Sequence, residues 1–144
     1  MGKDLELGNL SPMGTFKYSG KEYSIEDLTA PQKRLVYTLR FIKQLTNEKN
    51  AKTLILQEFL NSLNRQLEEK LGSEIGEINI GSIENTIVLK DGSEHLIDDL
   101  DSVTQREMAT LSFVNSEMLD TRNILQALDT AKITYSRDFA LTLK

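Results

Sequence analysis

The chain has 144 residues, 39% of them hydrophobic and 27% charged, which is typical of globular or coiled-coil proteins and not of disordered ones. It has no cysteine, which excludes disulfides, thiolate metal sites and cysteine nucleophiles. The net charge of −5 disfavours binding to nucleic acid, and no apolar run or leader predicts a membrane span or export signal, so we expect no nucleic-acid and no membrane partner.

The first predicted element is a small antiparallel sheet. The segment TFKYSGKEYSI, at 15–25, alternates apolar and polar residues around a Ser19-Gly20 turn, which is typical of a β-hairpin. The preceding LELG, which ends at Gly8, is expected to add a third strand. A third strand matters because an isolated two-stranded hairpin is only marginally stable in water.

A long helix is predicted to follow. Thr29 and Gln32 have the spacing of a capping box, and Pro31 is tolerated in a first helical turn. Neither Gly nor Pro follows until residue 72, so the pattern predicts one helix over about 30–71, spanning about 63 Å. The alternative breaks the helix near Asn47–Asn50 and folds it into a helical hairpin.

The same order of elements then returns. The segment GKEYSIEDL at 20–28 comes back as GSEHLIDDL at 92–100, an offset of 72 residues, and Phe41 corresponds to Phe113 at the same offset. A second hairpin is predicted around Asp91-Gly92, with a strand ending at Gly81 before it. A second helix is predicted over about 102–143, with Ser102 and Gln105 as its capping box. Such self-similarity predicts two repeats, 1–72 and 73–144.

The two predicted helices carry apolar residues at heptad spacing. Because only six residues, 72–77, separate the first helix from the next strand, the second helix is expected to return beside the first as an antiparallel coiled coil. The fold class is therefore predicted to be α+β, a tandem duplication of a small β-hairpin, possibly three-stranded, plus a long amphipathic helix. The expected pairs are Leu39 with Phe139, Thr46 with Lys132, Thr53 with Leu125, Leu60 with Met118 and Leu67 with Leu111.

Both helices have further apolar residues outside that seam. Two helices and two small sheets cannot cover them, so self-association or docking onto a larger assembly is the economical explanation. The repeats also differ in charge: the first holds 11 Lys or Arg against 9 Asp or Glu, and the second 6 against 13. The predicted interface residues are Phe41, Leu45, Ile55, Phe59, Phe113, Leu119, Ile124 and Ile133.

The single histidine is the main candidate for a catalytic residue. His95 lies near Asp99 and other carboxylates, which allows an enzyme hypothesis, but it has no nucleophile and no set of companion metal ligands at a recognisable spacing. We interpret it as a solvated strand residue. No catalytic, cofactor-binding or metal-binding residue and no small-molecule substrate is predicted.

These motifs resemble a small family of phage and cyanobacterial proteins. The first repeat carries the Gly-Lys-x-Tyr hairpin at 20–23, and the second carries Phe113-Val114 and the Ala131 to Tyr135 segment, but has Ser93-Glu94-His95 in place of Lys-x-Tyr. The resemblance implies a non-enzymatic virion component, in a capsid, collar or tail, located in the virion or in the cytoplasm of a host bacterium. The alternative is a soluble adaptor or regulator that binds a host protein through an exposed helix face.

Overall fold

The computed structural model describes residues 5–6, 14–80 and 84–143. Each repeat contains three strands, a short 3-10 turn and one long helix, which confirms the predicted α+β architecture and its three-stranded sheets. Gly8 and Gly81 lie outside the described residues. The strands are β1 Leu5–Glu6, β2 Thr15–Tyr18, β3 Lys21–Ser24, β4 Ile75–Asn79, β5 Thr86–Leu89 and β6 Glu94–Leu96, the turns are Ile25–Asp27 and Ile97–Asp99, and the helices are α1 Ala30–Leu71 and α2 Ser102–Thr142.

Both helices are continuous and pack together. Helix α1 runs for 42 residues and α2 for 41, so the alternative with a break near Asn47–Asn50 is wrong. Neither glycine nor proline follows Pro31 within α1, so no helix-breaking residue weakens the helix near Asn47–Asn50.

The chain forms two compact units. The terminal unit comprises Met1–Asn50 and Asn123–Lys144, and the central unit comprises Ala51–Arg122. Each unit contains one sheet, part of α1 and part of α2. The compact units thus combine helical segments from both sequence repeats, and the repeat boundaries 1–72 and 73–144 remain a prediction about the sequence.

The core of the terminal unit joins its sheet to both helices. The Phe16 ring of β2 meets the Phe139 ring of α2 edge to face, with centroids 5.3 Å apart, and Leu39 of α1 lies in the same cluster. The sharing of one cluster by Leu39 and Phe139 agrees with the predicted pair. The buried residues are Phe16, Ile25, Leu28, Val36, Leu39 and Phe139.

The core of the central unit fixes the direction of the helices. Lys52 contacts Glu117 and Lys70 contacts Glu107, so rising numbers on α1 meet falling numbers on α2, as antiparallel packing requires. Two further predicted pairs, Leu60 with Met118 and Leu67 with Leu111, lie in this cluster. Its buried residues are Leu60, Leu63, Leu67, Ile87, Leu89, Met108, Leu111 and Val114.

Part of the predicted seam is not buried. Lys132 of α2 is exposed, and Thr46, Thr53 and Leu125 are half-buried. A lysine keeps its charged end in water, and heptad spacing alone does not predict this.

The helix N-termini are capped by side chains. Thr29 and Gln32 form the predicted capping box, with the Gln32 amide donating to Thr29 Oγ1 at 3.3 Å and the Thr29 amide donating to Gln32 Oε1 at 2.9 Å. At α2 the predicted cap, Ser102, is wrong by one residue, because the Asp101 carboxylate accepts from the Thr104 amide at 2.7 Å. Asp101 lies 72 residues after Thr29, so the repeat offset identifies the cap correctly.

Candidate functional site: exposed apolar helix faces

Seven of the eight predicted interface residues are exposed. The most exposed are Ile55 at 69%, Phe113 at 64% and Phe41 at 59%, whereas Leu45 is half-buried. Large apolar side chains on regular helices cannot withdraw into the core without breaking the helix. Exposed groups of them are typical of protein contact surfaces. The other exposed members are Phe59, Leu119, Ile124 and Ile133.

Three of these residues form one face of the central unit. Ile55 and Phe59 are one turn apart on α1, and Phe59 follows Lys52 by seven residues, so it occupies the same heptad position. Lys52 bonds Glu117 of α2 at 2.7 Å, and Phe113 lies one turn before Glu117. We call Ile55, Phe59 and Phe113 the central apolar face.

The sheet of the central unit covers another flank of the same helices. Met108 is only 1% exposed and packs in one cluster with Ile87 and Leu89 of β5, and Leu71 packs against that cluster. Met108 precedes Phe113 by five residues, so the two side chains leave α2 in directions well apart. The sheet therefore shields the Met108 flank while the central apolar face stays open.

The terminal unit has a related face on α1. Tyr37, Phe41 and Leu45 follow one another at intervals of four residues, and Tyr37 is 40% exposed. Arg34 lies two turns before Phe41 on the same side of the helix, and Arg40 directly precedes Phe41; both are exposed. We call Tyr37, Phe41 and Leu45 the terminal apolar face.

The remaining predicted residues do not join these faces. Leu119 comes six residues after Phe113, which places it on a different side of α2, and Ile124 and Ile133 are nine residues apart and point in opposite directions. Sequence reasoning missed two exposed residues at strand ends, Ile80 at 58% and Leu96 at 38%. The register of β6 against β5 places Leu96 on the outer face of the sheet.

The sheet of the central unit has an outer face that carries carboxylates. Residues directly opposite each other in antiparallel strands share a face, and Val88 of β5 lies opposite both Glu77 of β4 and Glu94 of β6. Val88 alternates with the buried Ile87 and Leu89, so this row points outward. Leu96 lies opposite Thr86 in the next outward row.

The two sheets differ in how the negative charge of this outward row is neutralised. In the terminal unit Glu22, which corresponds to Glu94 at the offset of 72, lies opposite Lys17. In the central unit Glu94 lies opposite Val88, and no described basic side chain is in ion-pair contact with Glu77 or Glu94. An ion pair joins Lys90, directly after β5, to Glu74, directly before β4, at 2.6 Å. It lowers the pKa of Glu74 and raises the pKa of Lys90 through their hydrogen bond and mutual attraction.

His95 lies on the opposite side of the strand from this outer row. It pairs with the buried Ile87, is half-buried and faces the core side, unlike the solvated residue predicted. In the terminal sheet the corresponding place belongs to Tyr23, whose ring stacks on Phe16 at 5.4 Å. Over residues 14–80 and 84–143 no group of three His, Asp or Glu side chains has the geometry of a metal site.

Net charge separates the two units. The terminal unit has 11 Lys or Arg against 8 Asp or Glu, a net charge of +3, and the central unit has 6 against 14, a net charge of −8. The imbalance is larger than that between the sequence repeats. Helix α1 contributes to it, since residues 30–47 hold four basic residues and no acidic one.

No protein-family model matches the chain, and neither a curated protein nor a solved structure is detectably similar to it. Within the part of the chain that the structure describes, neither helix has a stretch long and apolar enough to cross a membrane.

Proposed function

We propose that this protein is a non-enzymatic structural protein that acts through protein–protein contacts, as a component of a phage virion. The observation that carries the proposal is the exposure of large apolar side chains at fixed positions on two long helices, above all Ile55, Phe59 and Phe113. A rigid helix holds such residues at a constant spacing, as an assembly contact needs.

The assignment to a virion has separate support. It comes from the hairpin motif at 20–28, its second copy at 92–100, and Phe113-Val114, which resemble the phage family described above. A capsid, collar or tail protein binds neighbours through surface geometry and needs no catalytic group.

The experiment is quantitative mass spectrometry of purified phage particles from a lysogen that carries the gene, with immunogold labelling to locate the protein. We expect several copies per particle, and Phe113→Ser particles with fewer copies. A matched control is Ser116→Ala, an exposed change three residues further along α2. Absence from particles, combined with stoichiometric capture of one host protein, would favour the adaptor alternative. A protein that is absent from particles and that captures no host protein would overturn the proposed function.

A further inference from the structure

The exposed groups of the two units are complementary in charge. The terminal apolar face is bordered by Arg34 and Arg40, within a stretch of α1 that has no acidic residue from 30 to 47. The outer face of the central sheet presents Glu77 and Glu94, neither in ion-pair contact with a described basic side chain, in a unit of net charge −8.

Each of these surfaces also offers apolar area. Phe41 is 59% exposed and follows both arginines on α1, and Leu96 is 38% exposed in the outward row next to that of Glu94. Interfaces combine a buried apolar centre with a charged rim, and complementary rims speed encounter and fix the register. A basic helix face with one phenylalanine therefore suits an acidic sheet face with one leucine.

We propose that the terminal apolar face of one copy of this chain binds the outer sheet face of the central unit of a second copy. Arg34 and Arg40 lie against Glu77 and Glu94, and Phe41 lies against Leu96. The contact joins two different surfaces, so a bound pair still has one unused surface of each kind and association continues into a ring or a chain. This inference rests on the proposed function, since it names the partner as another copy of the same component.

The outer face of the terminal sheet is a less suitable partner for the basic helix face than the outer face of the central sheet. Glu22, the repeat counterpart of Glu94, lies opposite Lys17, which also lies opposite Glu6, so this outer row has one lysine for its two glutamates, whereas the row of Glu77 and Glu94 has none. The basic helix face of a second copy gains less there.

The test is a charge exchange followed by sedimentation equilibrium of the full chain at micromolar concentration. The first variant is Arg34→Glu/Arg40→Glu, and the second is Glu77→Lys/Glu94→Lys. We expect the wild-type chain to form oligomers that weaken as salt rises, and each variant alone to associate at least about tenfold more weakly, because like charges then face each other. We expect an equimolar mixture of the two variants to regain association, because both mixed contacts have opposite charges.

The matched control is Arg106→Glu/Glu22→Lys, which changes the repeat counterparts of Arg34 and Glu94. This control is expected to form oligomers of the same mass as those of the wild-type chain. Circular dichroism and thermal unfolding of every variant establish that the fold is retained; a variant that does not fold is replaced by its neutral form, Arg34→Gln/Arg40→Gln or Glu77→Gln/Glu94→Gln.

Three results would overturn the inference: a monomeric wild-type chain, an unchanged mass for either charge-reversed variant, or a mixture that stays monomeric. Its failure is distinguishable from failure of the proposed function. A monomeric chain present in several copies per particle would contradict self-association alone, whereas an oligomer absent from particles would contradict the virion role alone.

Discussion

Lys70 and Glu107 join α1 to α2 through an ion pair that satisfies only half of the carboxylate. Lys70 Nζ donates to Glu107 Oε1 at 2.5 Å, while Glu107 Oε2 is buried and accepts no hydrogen bond from the described residues. The Glu107 side chain is 16% exposed and that of Lys70 40% exposed. A carboxylate held in this way depends strongly on its single partner.

Replacement of Lys70 is therefore expected to destabilise the central unit. We expect Lys70→Met to lower the free energy of unfolding by about 1–3 kcal/mol, because it leaves a largely buried carboxylate without its partner. The double variant Lys70→Met/Glu107→Leu is expected to recover most of that loss, since it removes both polar groups. Urea unfolding measures the three values. Lys90→Met is the control, because Lys90 and Glu74 are more than half exposed. A double variant as unstable as Lys70→Met would contradict this account.

Asp101 is expected to give α2 a pH-dependent cap. Its hydrogen bond from the Thr104 amide holds the pKa of Asp101 below its ordinary value of 3.8. A depressed folded-state pKa adds stability that is complete above the unfolded-state pKa and is lost as the pH falls through the folded-state value.

The variant Asp101→Asn separates this effect from capping itself, because asparagine caps well and does not titrate. We expect the melting temperature of the wild-type chain to exceed that of Asp101→Asn at pH 7, and the difference to shrink below about pH 4, near the ordinary pKa of aspartate. A difference that stays constant down to pH 2 would show that the carboxylate charge has no part in the cap.

Phe139 is expected to be essential to the terminal unit. Its side chain is 0% exposed and touches the Phe16 ring edge to face. We expect Phe139→Ala to cost about 3–5 kcal/mol, from lost burial and the cavity it leaves. Hydrogen exchange should show the loss of protection in β2 and β3. Tyr135→Ala, one turn earlier at a position 37% exposed, is the control and should change protection there much less.

Phe113 is expected to contribute to contacts rather than to stability. We expect Phe113→Ser to change the free energy of unfolding by about 0.5 kcal/mol or less, as is usual for exposed positions, and to reduce retention on a hydrophobic-interaction column. Leu111→Ala, two residues away and 2% exposed, should instead cost about 2–5 kcal/mol. Similar losses for the two variants would mean that Phe113 is packed in the fold.

The repeat structure and the order of elements could be read from the sequence. The turns at Ser19-Gly20 and Asp91-Gly92 were predictable because Gly20 and Gly92 have φ angles of +78° and +92°, which glycine adopts readily. The continuous helices were predictable because no helix breaker interrupts 32–71 or 102–143. These features depend on local backbone preferences, and neighbouring residues are enough to set them.

Tertiary packing decided which surface residues remain open. The sequence marked Phe41 and Phe113 as lying outside the seam, but only strand register put Glu77 and Glu94 on one outward face and turned His95 toward the core. Only the packing of α1 against α2 placed Phe59 and Phe113 on the flank marked by Lys52 and Glu117. The physical reason is that heptad and strand periods define directions around one element, whereas exposure depends on which neighbouring element covers each direction.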